Sequence, residues 1–279
     1  MRVIERTIEY HSTTDVVTIT PLGDLHLGNA ACDERLVKRV VQQIADDPLG
    51  YWIGGGDYCD FINRKDWRYR ETATASWLHG VDDLAKRQIE RARDELEPIR
   101  DKCLGLVRGN HEGEILKRYE RDVYSALVDA LKPSHNVPIR LGVQGFIRLR
   151  LTCVSSGDVR YNTQTFVIYC HHGYGGGRLE GGHALALGRV FKTYNCDIAL
   201  MWHRHKRHVI DQVQLQPAKR GDKIKERYQV AAFCGAFLQS YSEDEVYAEE
   251  KQLPPGPLGP PQVVLHPATG KIAVRVPQW

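Results

Sequence analysis

Residues 16–29 read VVTITPLGDLHLGN, a β-rich run that opens into a polar loop holding Asp24 and His26. Residues 16–19 have the composition of a strand. The apolar positions Leu36, Val37, Val40, Val41 and Ile44 then recur at helical spacing, Asp33 stands where an N-cap belongs, and Pro48 ends the helix. The unit is therefore strand, polar loop, helix. It recurs outward along the chain. Residues 51–53 form a short strand that breaks into Gly54, Gly55, Gly56 and Asp57, and Trp77, Leu78, Val81, Leu84, Ile89 and Leu96 stripe one long helix stopped before Pro98. Residues 103–107 make the next strand, ending in RGNHE, and Leu116, Tyr119, Val123, Leu127 and Leu131 stripe another helix before Pro133. This βαβα order predicts an α/β fold with helices against the faces of a sheet and a ligand site beyond the carboxyl ends of its strands.

The second half is richer in strands, expected over 146–152, 165–169, 198–201, 209–215 and 228–233, with one further helix over about 182–194. Residues 251–262, KQLPPGPLGPPQ, read as an extended turn-rich segment, and 263–276 as a hairpin. No internal repeat or long linker divides the chain.

With 279 residues, 42% hydrophobic and 26% charged, this is a folded globular chain, able as one body to bury about three quarters of its surface. It needs neither disulfide nor metal merely to fold. A net charge of +3 excludes a wholly basic nucleic-acid wrapper. The charge is uneven, since residues 203–227 hold eight Lys or Arg against three acids and residues 243–250 hold five acids and no base. A solvated charged loop is the first reading of the basic run, with contact to phosphate as the alternative. Seven cysteines with no C-x-x-C pair read as reduced, mostly buried thiols. The absence of a signal-peptide core or an apolar stretch of about 18 residues leads to the expectation of a cytoplasmic chain with no membrane contact.

Five segments set metal-ligand residue types just after β-runs: Asp24 and His26 in GDLHLG, Asp57 in GGGDYCD, Asn110 and His111 in RGNHE, His171 and His172 in CHHGYGGG, and His203 and His205 in WHRH. In extended chain the D-x-H and H-x-H pairs would each point two donors one way. Carboxylate, imidazole and amide oxygen together favour divalent Mn, Fe or Zn, and the lack of a cysteine pattern argues against structural zinc. HEGEI is no zinc-protease motif, because Ile115 stands where the second His is required.

In this order the segments resemble the signature of the calcineurin-like metallophosphoesterases, D-x-H, G-D-x-x-D, G-N-H-[DE], H before Gly, and G-H-x-H. The match spans Asp24 to His205 and departs at Trp202, where Gly is common. The resemblance implies an α/β/β/α sandwich, taken as one domain over 1–279 with the Pro-rich segment and hairpin at about 251–279. It implies two divalent ions, Mn first with Fe, Zn or Ni as alternatives. Asp24, His26 and His205 would hold one, Asn110, His172 and His203 the other, and Asp57 would bridge them. His172 is preferred to His171 because Gly173 follows it. A hydroxide between the metals would attack phosphorus while His111 protonates the leaving oxygen. Asp60 would orient His111, or cap the turn after Asp57.

The implied activity is phosphomonoester or phosphodiester hydrolysis of a small molecule or nucleic acid, with no obligate protein partner. Phe61 replaces the arginine of the protein-phosphatase branch, which speaks against phosphoproteins. GDLHLG is similar to the opening motif of double-strand-break repair nucleases, so a DNA or RNA nuclease is the alternative. A catalytically silent scaffold or binding module is the reading from another class, disfavoured because every ligand type survives. Arg64, Arg178 and Arg204 are candidate phosphate cations, with Arg204 expected to face away into a surface salt bridge. Gly173 and Gly175, Gly176 and Gly177 around Tyr174 make a loop that either approaches substrate or simply turns. Trp67, Tyr69, Trp77 and Tyr174 could stack on a base, though Trp77 falls in the helical stripe and packing under a loop is favoured for Trp67 and Tyr69.

Overall fold

The computed structural model describes residues 1–154, 163–175, 179–218, 222–241 and 255–279. The unit read from residues 16–46 is present as β2 (Val17–Leu22), a loop, and α1 (Glu34–Asp46), with the Asp33 carboxylate accepting the Leu36 N–H at 2.9 Å. Pro21 is tolerated inside β2 because the neighbouring C-terminal strand pairs only with residues 17–19, so the proline needs no ladder donor on that side. Two further parallel strands follow, β3 (Gly50–Gly54) and β4 (Cys103–Val107).

The sequence expectation of one long helix over 77–96 is corrected. Only α2 (Leu84–Leu96) is α-helical, started by the Asp83 side chain, while Gly80 turns left-handed and 76–78 form a single tight turn. Trp77 lies outside the helix, its indole donating to Glu34 under the Arg91 guanidinium. The next expected helix is likewise two. Helices α3 (Asn110–Tyr119) and α4 (Val123–Ala130) are separated by Glu120 at φ 54° and restarted by Asp122. A local N-cap outweighs a hydrophobic stripe that runs through it.

The first half closes with β5 (Arg140–Gly142), and the second contains β6 (Gln144–Cys153), β7 (Thr163–His171), α5 (Glu180–Thr193), β8 (Ile198–Met201), β9 (Arg207–Pro217) and β10 (Ile224–Cys234). The predicted hairpin is β11 (Gln262–His266) with β12 (Lys271–Arg275). Sequence reading missed β1 (Arg2–Tyr10), whose alternate residues Ile4, Arg6, Ile8 and Tyr10 are buried and which pairs in parallel with β6.

The strands form two six-stranded sheets, β12-β11-β2-β3-β4-β5 and β1-β6-β7-β8-β10-β9. Their facing sides share one core that includes Ile19, Ile53, Leu104, Ile147, Ile168, Leu200 and Trp202. Helices α1, α2 and α4 cover the outer face of the first sheet through Leu36, Val40, Ala92, Leu96 and Leu127. Helix α5 covers the second through Leu187 and Val190 against Tyr169, Ala199 and Phe233. This is the expected α/β/β/α sandwich. Beyond the end of β8 the β9–β10 pair continues as a ribbon whose Val213, Leu215 and Ile224 are exposed. All seven cysteines are free. Among the described residues no helix is long and apolar enough to cross a membrane.

Candidate metal centre

Each polar segment lies at the carboxyl end of a strand: Asp24 and His26 after β2, Asp57 and Asp60 after β3, Asn110 and His111 as the first turn of α3 after β4, His172 after β7, and His203 and His205 after β8. The extended-chain explanation for the paired donors is corrected. Asp24, His26, Asp57, His203 and His205 all have positive φ, between 49° and 72°. Single left-handed residues are costly for side chains larger than glycine, so the donors converge by strained turning rather than by strand alternation.

The convergence is close. Donor atoms of Asp24, His26 and His205 lie within 4.8 Å of one another, as do those of Asp57, His172 and His203. His26 Nε2 is 3.1 Å from His205 Nε2, and Asn110 Oδ1 is 2.9 Å from His172 Nε2 and 2.7 Å from His203 Nδ1. Asp57 Oδ2 stands between the groups, 3.3 Å from His172 Nε2 and 3.9 Å from His26 Nε2. The rings are tied back on their far sides. His172 Nδ1 donates to the Gly55 carbonyl at 2.7 Å, and His26 Nδ1 is 3.2 Å from Asp60 Oδ1. Such outer hydrogen bonds fix ring orientation and leave the opposite nitrogen for a ligand.

His111 Nδ1 donates to the main-chain oxygen of Asp60, leaving Nε2 4.0 Å from Asp57 Oδ2. Asp60 thus touches both rings, His111 most closely through its carbonyl and His26 through its carboxylate. His171 turns away from the cluster and stacks against Tyr169. Arg64 is exposed and donates to Val81 O. Arg204 does face away, but its guanidinium lies 4.9 Å over the Phe233 ring and reaches His183 Nδ1, in place of the expected salt bridge. Tyr69 is half-buried, whereas Trp67 is 80% exposed, against the packing expected for it, and Tyr174 is 73% exposed. Arg178, Gly176, Gly177, the acidic run 243–250 and residues 251–254 of the Pro-rich segment lie outside the described residues.

Sequence reading gave no role to Glu112, which is fully buried and accepts N–H groups from Asp57 (3.0 Å), Tyr58 (2.9 Å) and Gly109 (2.8 Å). One carboxylate therefore joins the loop after β3 to the start of α3. An acid directly following the strand-ending Arg-Gly-Asn-His run is visible in the sequence, but its three acceptor contacts are tertiary.

Burial sets the charge pattern of the cluster. It raises the Asp24 carboxyl to about 7, with Asp57 adding to the rise. Burial opposes charge on His26 and His172 too, but the Asp60 contact lifts His26 to about 9 and Asp57 lifts His172 to about 10. Burial together with a neighbouring imidazole depresses His203, to about 4, and His205. Asp24 Oδ1 is buried and has no hydrogen-bond partner among the described residues, 4.0 Å from His205 Nε2. A mixed nitrogen and oxygen set around an orphaned carboxylate oxygen fits a borderline divalent cation.

No protein-family model and no curated protein matches the sequence. Among solved structures the chain is similar to a metallophosphoesterase from Sphaerobacter thermophilus, at 12% identity and a TM-score of 0.40, over 94% of this chain and 90% of that one. It is also similar to a conserved uncharacterized protein, described as a predicted phosphoesterase, from Streptococcus pneumoniae TIGR4, at 12% identity and a TM-score of 0.30, over 94% and 99%. At such identities the functional case rests on this chain's own side chains.

Proposed function

We propose that the chain is a metal-dependent phosphoester hydrolase. The observation that carries the reading is the meeting of two three-donor groups, Asp24–His26–His205 and Asp57–His172–His203, with Asp57 Oδ2 reaching both. Asp24, His26 and His205 would hold one cation, Asn110, His172 and His203 the second, and Asp57 both. Two divalent cations bound there would supply Lewis acidity to phosphoryl oxygens and make water more acidic. The chain's own residues do the rest. Glu112 fixes the main chain of Asp57, Asp60 orients His26, and the Gly55 carbonyl orients His172. His111, held at Nδ1, presents Nε2 toward the cluster, where it can carry a proton to a departing alkoxide.

Manganese is the first metal to test. Asp57→Asn is expected to abolish Mn-dependent cleavage of bis-nitrophenyl phosphate and nitrophenyl phosphate, and retained turnover would overturn the site. The nuclease reading is favoured by one observation, the exposure of Trp67 and Tyr174 on the loops that follow Asp60 and His172, since an exposed ring offers a base a stacking face. Under that reading oligonucleotides are cleaved better than small esters, with affinity falling steeply as salt rises. Turnover of small monoesters alone, insensitive to salt, would reject it.

A further inference from the structure

We propose that Trp202 is a positioning residue that sets the spacing of the loops carrying the candidate ligands. This rests on the metal-centre reading above and extends it to a side chain that touches no cation. Trp202 follows β8 and directly precedes His203, and it is 1% exposed in the core between the sheets. Its indole packs against two other loops. A Cβ added to Gly23 would come within 2.5 Å of the indole Cδ1, and one added to Gly55 within 2.1 Å of Cε2. Gly23 precedes Asp24, and Gly55 lies two residues before Asp57 and bonds the His172 ring. The main chain of Trp202 makes the remaining link, donating to the His172 carbonyl at 3.0 Å, while a Cβ on Gly173 would meet the Trp202 carbonyl at 2.6 Å.

One side chain and its peptide thus touch segments bearing Asp24, Asp57 and His172, and carry His203 by the next bond. The two glycines on the ring leave no room for any other side chain beside an indole, so ring and glycines form one fitted set. The indole Nε1 is buried without a hydrogen-bond partner among the described residues. A donor left unmet in a core is a local rule broken, and rules are broken where function demands the shape. The shape is kept and the N–H is surplus.

The spacer role and a merely space-filling role differ in metal binding. Mn2+ affinity of the metal-stripped chain would be measured by calorimetry for wild type, Trp202→Phe, Trp202→Leu and Trp202→Gly, beside circular dichroism. Trp202→Phe keeps a flat ring against Gly23 and Gly55, loses the N–H and the outer part of the indole, and is expected to bind Mn2+ within about threefold of wild type. Trp202→Leu, branched and not planar, and Trp202→Gly, which opens the gap, are expected to lose about 10- to 100-fold, the usual range for residues outside the ligand shell. Wild-type affinity in a folded Trp202→Gly would overturn the inference. If that variant does not fold, equal affinities for the Phe and Leu variants would overturn it instead. Binding is read without turnover. A wild type that binds Mn2+ and cleaves no phosphoester defeats the hydrolase reading and leaves the role of Trp202 intact.

Discussion

Glu112 accepts three main-chain donors while fully buried, and burial beside Asp57 pushes its own carboxyl up. An amide in its place would turn a donor toward those N–H groups. Glu112→Gln is expected to cost about 2 kcal/mol, the penalty for one buried unmet donor, or roughly 4–8 °C in Tm for a chain of this size. Since the same contacts hold Asp57 left-handed, Mn2+ affinity should fall with it, about tenfold or more. Thermal melts and calorimetry read the two effects separately. A second residue-scale case is Asp66, whose carboxylate takes both the Nε and Nη2 groups of Arg68 and is held down to about 2. A depressed carboxyl stabilises the fold above its unfolded value, near 4, and that contribution is lost as pH falls through 2. Asp66→Asn should therefore be less stable by roughly 1 kcal/mol at neutral pH, after screening at a partly exposed guanidinium, with the gap closing as pH falls to 2 and below. Urea melts across pH 2–7 test it.

At the scale of elements, caps decide where helices begin. Asp33, Asp83 and Asp122 each accept from the third residue after them. Asp33→Ala is expected to destabilise by about 1 kcal/mol, seen in denaturant midpoint with an unchanged slope. The cap at Asp33 and the strand–loop–helix unit around it were legible in sequence, because every signal in it is local. The stripes across 77–96 and 116–131 misled because apolar periodicity is blind to Gly80 and Glu120 turning left-handed. β1 was missed although Ile4, Arg6, Ile8 and Tyr10 alternate, since a polar partner set and a buried arginine mask the pattern. Arg6 donates to the Cys103 carbonyl from within the core, a contact 97 residues away in sequence.

At the scale of the molecule, the two facing sheets bring together loops separated by up to about 180 residues, and the motif order in the sequence anticipated which residues would meet. It gave no hint of how. The left-handed turns at five donor residues are set by tertiary contacts such as Asp24 N–H to Gly56 O and His26 N–H to Asp57 O. Nor could the sequence say that Trp202, a departure from the resembled motif, would be accommodated by glycines 147 and 179 positions earlier, at 55 and 23.

Those five donors carry a thermodynamic debt. A chain that bends its backbone against preference at the points where it would grip ions is least comfortable when the grip is empty. Replacing His205, at φ 52°, by glycine removes one of the proposed ligands and relieves the turn. Stripped of metal, His205→Gly should melt at or above wild type, and with Mn2+ present it should melt below. Differential scanning calorimetry with and without chelator would read the crossing, the signature of a trade between stability and activity.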